Sequence, residues 1–326
     1  MKVPVPLYAL VIEEEKRVAK NGNLFWQVVL KTTVGNLKAF MWNAAVDAES
    51  SPKYPHAGDI IEVTSFEDNT AERGNIVISN FGRMTRNDLP AEAQSILEVE
   101  SASDQEIKDS LSLILDSSFW EDEANHQFTL KCLQKVSGEK FKIVPAATKV
   151  HHNYQGGLLV HTAEVLALAR AVVEACVKRY SFINRDVVYA GAVLHDIGKI
   201  KTYYINEIGI AQTLTTEKTI GHLFYGMETV SEVAKETNHD QKFIDELLHV
   251  IASHHGLPEW GSIKNIQSVE AGIVSRIDYI SSRNGMVESV LKESKQTGVA
   301  LQDEFRIYGD SYFYSTGMQK YVKTDQ

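Results

Sequence analysis

The hydrophobic period of this chain changes once, between residues 80 and 90, and that change limits it to an architecture in two parts. Before it, apolar residues alternate with polar ones in short runs: Leu7–Ile12, Leu24–Leu30, Leu37–Trp42, Gly58–Val63 and Asn75–Ile78. Side chains of a strand point alternately to its two faces, so each run predicts a half-buried strand. Asn21-Gly22 and Gly35-Asn36 supply turn signals between the first three. The segment 43–57 is predicted irregular or partly helical. From Asp88-Leu89-Pro90 onward the period is that of helices, with proline marking a first turn. Helical stretches are predicted near 158–180, 186–197, 219–237, 240–255 and 265–290, with a short hairpin in 200–218 around Asn206-Glu207-Ile208-Gly209.

Five short strands in one small unit suit a closed barrel of the OB type. The predicted fold class is therefore α+β and multidomain: an N-terminal OB-like β-barrel followed by an all-α domain. The expected divisions are a barrel over 1–87, a helical connector over 88–145 and the helical domain over 146–326. On the third strand Lys38, Phe40 and Trp42 share one face. That face is either a cationic and aromatic platform for single-stranded nucleic acid or part of the barrel core.

With 44% hydrophobic and 23% charged residues, the 326-residue chain has the balance of a globular protein and not of a disordered one. Cys132 and Cys176 are too few for a disulfide framework or a four-cysteine zinc site. No run of 18 apolar residues predicts a membrane span, and the start lacks a signal-peptide core, so a cytoplasmic location is expected. A net charge of −10 speaks at first against nucleic acid. The charge is local, however: residues 91–126 carry −9, residues 1–90 carry −1, and residues 127–326 balance. The acidic segment holds two capping-box patterns, Ser103-x-x-Glu106 and Ser118-x-x-Glu121, followed by Ile107, Leu111 and Ile114 at helical spacing. It reads as a helical connector with an acidic outer face.

The helical half concentrates histidines: His151, His152, His161, His195, His222, His254 and His255. His195 is followed by Asp196, and Asp278 falls in an apolar stripe, four residues after Val274. Spacing puts His254, His255, Asp196 and Asp278 on inward helix faces. One buried histidine is usually a satisfied core residue. Several, with two inward carboxylates, are costly unless paired or bound to metal. Imidazole and carboxylate donors without thiolate suit manganese, iron, cobalt, nickel or zinc in open coordination; manganese is the metal expected first. There are ligands enough for two divalent transition-metal ions. An aspartate between them would bridge, and such a pair activates water and clamps phosphate.

The pattern His161, His195-Asp196, Asp278, with His222 and His254-His255, resembles the two-metal branch of the HD superfamily of metal-dependent phosphohydrolases. Further stretches resemble one subgroup. They are Pro145-Ala146-Ala147, His151-His152-Asn153-Tyr154, Gly156 through His161, Tyr189 through Lys199, and Ser253-His254-His255-Gly256 followed by Glu259-Trp260-Gly261-Ser262. That subgroup is the YhaM-type 3′→5′ exoribonucleases, in which an OB-fold precedes the HD domain. The resemblance implies that His161, His195, Asp196 and Asp278 hold one metal and that Asp196 bridges to a second held by His222, His254 and His255. Asp196 and Lys199 would be catalytic, Lys199 neutralising a phosphate oxygen or, in the plainer reading, standing as a surface lysine. His151 and His152 would contact substrate or form a polar loop, Glu259 would frame the substrate channel, and Trp260 would be a stacking surface there or a core anchor. The expected function is two-metal 3′→5′ exonuclease cleavage of single-stranded RNA, with DNA as the other polymer, releasing 5′-mononucleotides. The alternatives are hydrolysis of nucleotides or cyclic nucleotides, and a non-catalytic nucleic-acid-binding regulator. Self-association into a homo-oligomer is left open.

Overall fold

The computed structural model describes residues 3–42, 54–70, 74–148, 151–297, 306–308 and 311–312. The chain divides into two compact units, residues 1–98 with 287–326, and residues 99–286. In the first, five strands form where alternation predicts them: β1 (Leu7–Val18), β2 (Leu24–Thr32), β3 (Gly35–Trp42), β4 (Ile60–Asn69) and β5 (Asn75–Met84). They close into an OB-like barrel in the order β1-β2-β3-β5-β4, with β3 parallel to β5 and the other pairs antiparallel. Closure leaves no free edge. Inward residues such as Ala9, Val28, Leu30, Ala39, Ile61 and Ile76 are fully buried.

β1, β4 and β5 run beyond their apolar stretches. They stay paired from Glu13↔Val29 to Val18↔Leu24 in one hairpin and from Ile60↔Met84 to Asn69↔Asn75 in the other, and Phe66 and Phe81 pack against the barrel core. Residues 43–53 of the segment expected to be irregular or partly helical lie outside the described residues, and 54–57 form a bend and turn.

The second unit is built on α1 (Asp104–Leu115), α2 (Glu123–Lys135), α3 (Gly157–Cys176), α4 (Arg185–Leu194), α5 (His222–Thr237), α6 (Gln241–Ser253) and the first part of α7 (Val269–Thr297). The expected hairpin pairs β6 (Tyr203–Ile205) with β7 (Ala211–Thr213). The Ser103 capping box forms: Glu106 N–H donates to Ser103 Oγ at 3.2 Å, and Ser103 N–H donates to Glu106 Oε2 at 2.8 Å. The box expected at Ser118 does not form. Ser118 N–H instead donates to Asp116, and Asp122 caps α2 by accepting from Ala124 N–H at 2.8 Å. Asp88-Leu89-Pro90 leads into a 3₁₀ stretch, Ala91–Leu97, and not an α-helix.

The acidic segment is not merely solvated. Ile114 is buried, Ile107 and Leu111 sit against the helical core, α1 packs on α3, and α2 packs on α4 and α5. Asp186, at the start of α4, is buried and accepts N–H bonds from Glu121, Asp122 and Asn125, each at 2.9 Å. These bonds pin the N-terminus of α2 to α4. Gly191 lies inside α4 without interrupting it; a Cβ there would stand 2.7 Å from Val250 Cγ1, so glycine lets α4 and α6 approach closely. Among the described residues no helix is long and apolar enough to cross a membrane.

Leu247 of α6 is fully buried in this core, whereas Leu115, ending α1, is 59% exposed. Leu247→Ala should cost about 2–5 kcal/mol of unfolding free energy. Leu115→Ala should change it by about 0.5 kcal/mol or less, both read from urea denaturation.

Candidate metal centre

The seven proposed ligands come from five places in the helical unit, most of them at helix ends. His161 stands in the second turn of α3. His195 and Asp196 follow the last residue of α4. His222 opens α5, His254 and His255 follow α6, and Asp278 lies on α7. The turn after Asp196 is pressed against the start of α5. A Cβ on Gly198 would fall 1.9 Å from the His222 carbonyl oxygen, so only glycine lets the turn bring Asp196 to His222.

Four imidazoles share one arrangement. Their Nδ1 atoms face acceptors: Ser281 Oγ at 3.0 Å for His161, the Ala192 carbonyl at 3.0 Å for His195, Glu217 Oε1 at 2.7 Å for His222, and the Ile251 carbonyl at 2.9 Å for His254. These partners assign the proton to Nδ1 and leave the Nε2 lone pair free. All four Nε2 atoms converge on carboxylates. Asp196 Oδ2 lies 3.6 Å from His161 and 3.4 Å from His195, while Oδ1 lies 3.4 Å from His222 and 3.6 Å from His254. Asp278 Oδ1 lies 3.2 Å from His161 and 3.8 Å from His195.

This donor set fits divalent cations. His161 Nε2 and His195 Nε2 face each other at 3.2 Å. Asp196 Oδ1, His222 Nε2, His254 Nε2 and His255 Nδ1 are buried and have no hydrogen-bond partner among the described residues. Buried lone pairs that meet only one another call for a cation. The potential ligand atoms fall into two groups, Asp196–His222–His254–His255 and His161–His195–Asp278, each within 4.8 Å. The two oxygens of Asp196 face both.

The electrostatics agree. Burial would raise the Asp196 carboxyl, but Lys199 and His195 outweigh it and hold it well below the ordinary carboxylate range. Burial holds the His161 and His254 rings below the usual imidazole value and pushes His255 down to about 3, so these rings are neutral donors. His195 is pulled up against its burial penalty by Asp196. A bound cation would displace that proton. Lys199 is buried, not a surface lysine, with Nζ 2.7 Å from Asp196 Oδ2. Asp196 raises it against the burial penalty, so it stays charged.

Of the proposed substrate contacts, His151 and His152 adjoin His161, with ring centroids 5.8 and 5.5 Å away. His152 is buried and its Nε2 lies 3.3 Å from Glu164. Trp260 is 57% exposed and so is no core anchor. Its ring packs 3.7 Å from the Cβ position of Gly256, next to His255, and Glu259 beside it is exposed. In the barrel unit, Leu37, Ala39 and Met41 fill the core, so Lys38, Phe40 and Trp42 face outward. Phe25 of β2 joins them, its ring 4.6 Å from Trp42 and 5.8 Å from Phe40. Sequence reasoning missed Phe25, Glu164, Glu217 and Ser281. The pairing of Phe25 with Trp42 follows from hairpin register, which was readable; the other three touch their partners through tertiary contacts or a short helix without periodic signal.

A filled centre stabilises the fold by mass action, by about 2.7 kcal/mol per ion at 100 times its Kd. Adding Mn²⁺ should therefore raise the melting temperature of the metal-free protein. Asp196→Ala should remove most of that rise.

The HD domain family matches residues 158–283, a span that includes all seven proposed ligands. Curated relatives of the chain, three of which follow, carry the name 3'-5' exoribonuclease YhaM. The Listeria welshimeri protein is 32% identical over 293 residues, 89% of each chain. That of Bacillus pumilus is 29% identical over 294 residues, 89% of this chain and 88% of its own. That of Bacillus subtilis is 28% identical over 316 residues, 96% of this chain and 95% of its own. No solved structure matches. With an OB-like barrel, an HD domain and relatives matched along nearly the whole length, the chain belongs to the YhaM family of 3′-5′ exoribonucleases.

Proposed function

We propose that the protein is a metal-dependent 3′→5′ exoribonuclease that shortens single-stranded RNA one 5′-mononucleotide at a time, using two divalent ions, with manganese the expected metal. The observation that carries this reading is Asp196, a buried carboxylate whose two oxygens each face a different pair of Nε2 lone pairs. His161, His195, Asp196 and Asp278 would hold one ion, and Asp196, His222, His254 and His255 the other. Bound ions supply Lewis acidity, acidifying the attacking water and neutralising charge on the phosphoryl oxygens.

The chain's own groups orient and select. Lys199 keeps a fixed cation beside Asp196, where negative charge grows on the phosphate. Trp260 offers an exposed indole next to His255 for a base near the 3′ end. His151, His152 and Glu259 are proposed to contact the terminal nucleotide. On the barrel, residues 1–87, the cluster of Phe25, Phe40 and Trp42 with Lys38 is proposed to stack upstream bases. Water oxygen bonds to phosphorus, the bond from phosphorus to the 3′ oxygen breaks, and that oxygen takes a proton. The products are a strand with a new 3′-hydroxyl and a 5′-mononucleotide.

A 5′-labelled single strand of RNA with Mn²⁺ should yield a descending ladder, faster than the matching DNA strand. Asp196→Ala should lower the rate by about 10³-fold or more, roughly 4 kcal/mol of barrier. Full activity in that variant, or products shortened from the 5′ end, would contradict the proposal.

Trp42→Ala should weaken RNA binding with kcat little changed, since stacking contributes about 1–3 kcal/mol per base. Residues 1–90 carry only −1 and residues 127–326 are neutral, so affinity should fall gently with salt. A steep log–log slope would point instead to a broad phosphate-binding face.

A further inference from the structure

The imidazoles of the metal centre are not all supported in the same way. His195 and His254 lean on carbonyls three residues back in their own chain turns, Ala192 and Ile251. Those supports are backbone. His222 and His161 lean on side chains. Glu217, itself largely buried, accepts from His222 Nδ1 at 2.7 Å. Ser281 accepts from His161 Nδ1 at 3.0 Å and donates onward to Glu164 Oε2 at 2.8 Å.

An imidazole that ligates a metal is oriented, and made more basic, by the acceptor on its other nitrogen. The two side-chain supports share no residue. Glu217 stands on the short helix Thr215–Thr219 that follows the β6–β7 hairpin, and Tyr203 of β6 also lies against His222, with ring centroids 6.3 Å apart. Ser281 and Glu164 stand on α7 and α3. His222 belongs to one potential ligand group and His161 to the other.

We propose that Glu217 and the Ser281–Glu164 pair are positioning residues that each support one ion position, Glu217 through His222 and Ser281–Glu164 through His161. The proposal rests on the two-ion reading above. Its consequence is that the two positions can be weakened separately, although Asp196 faces both.

The test is equilibrium dialysis of the metal-free full-length protein against graded Mn²⁺, with bound metal counted by mass spectrometry and electron paramagnetic resonance recording whether the bound ions are spin-coupled. Wild type should bind two coupled ions. Glu217→Ala should weaken one ion by about 10–100-fold and spare the other, so the uncoupled single-ion signal appears at intermediate Mn²⁺. Ser281→Ala should do the same, and the double variant should weaken both. Glu217→Gln keeps the shape and an oxygen acceptor, so it should weaken the same ion by a smaller factor; it carries the test if the alanine variant does not fold. Fewer than two ions on wild type overturns the two-ion reading and the proposal with it. Two ions on wild type with both held normally by the Glu217 variants overturns the positioning role alone. So does a double variant no weaker than either single one.

Discussion

Burying Asp196 among imidazoles is the interaction on which the helical unit turns. A carboxylate at 3% exposure is expensive to ionise unless cations or donors surround it. Here one oxygen has the Lys199 ammonium, and the Nε2 atoms of His161, His195, His222 and His254 stand 3.4–3.6 Å from the two oxygens. To reach that state the chain must end α4, turn through Gly198 against the first residue of α5, and bring the end of α6 and the first third of α7 to the same point. Helix ends meet there because side chains just beyond a helix can project along its axis. The apolar packing of α3, α4 and α6 holds those ends in place.

Much of this was legible in residue order. The switch of hydrophobic period located the barrel and the helices, and every proposed ligand lies in or beside the cluster that the fold assembles. Other features were not readable, for identifiable reasons. Alternation grouped Lys38, Phe40 and Trp42 on one face of β3, but parity alone does not say which face is inside; the barrel closure does. Ser118 and Asp122 both offered a cap for α2, and which one wins depends on where the chain can turn, with Asp186 holding residues 121 and 122. Ser281 reaches His161 and Glu164 across 120 and 117 residues, so no local pattern announces the link, although Glu164 lies only three residues from His161. Glu217 is only five residues from His222, yet it stands on a helix too short to show a period.

The total charge of −10 carries little information about partners once its distribution is known. Of the acidic residues of segment 91–126, Asp104, Glu106, Asp109 and Glu123 stand exposed on helices whose inner faces complete the core, and all of them are away from every proposed ligand in sequence. Where carboxylates do enter the candidate site, bound cations would offset them, and the formal count omits those. On the proposed function, aromatic rings, a buried ammonium and bound cations would meet the substrate in place of a basic surface.

The central claim is that Asp196 stands between two cations. Anomalous diffraction from crystals grown with Mn²⁺ tests it most directly. Two peaks are expected, one among His161, His195, Asp196 and Asp278, the other among Asp196, His222, His254 and His255. A single peak that leaves one Asp196 oxygen without a metal, or no peak at this cluster, would contradict it.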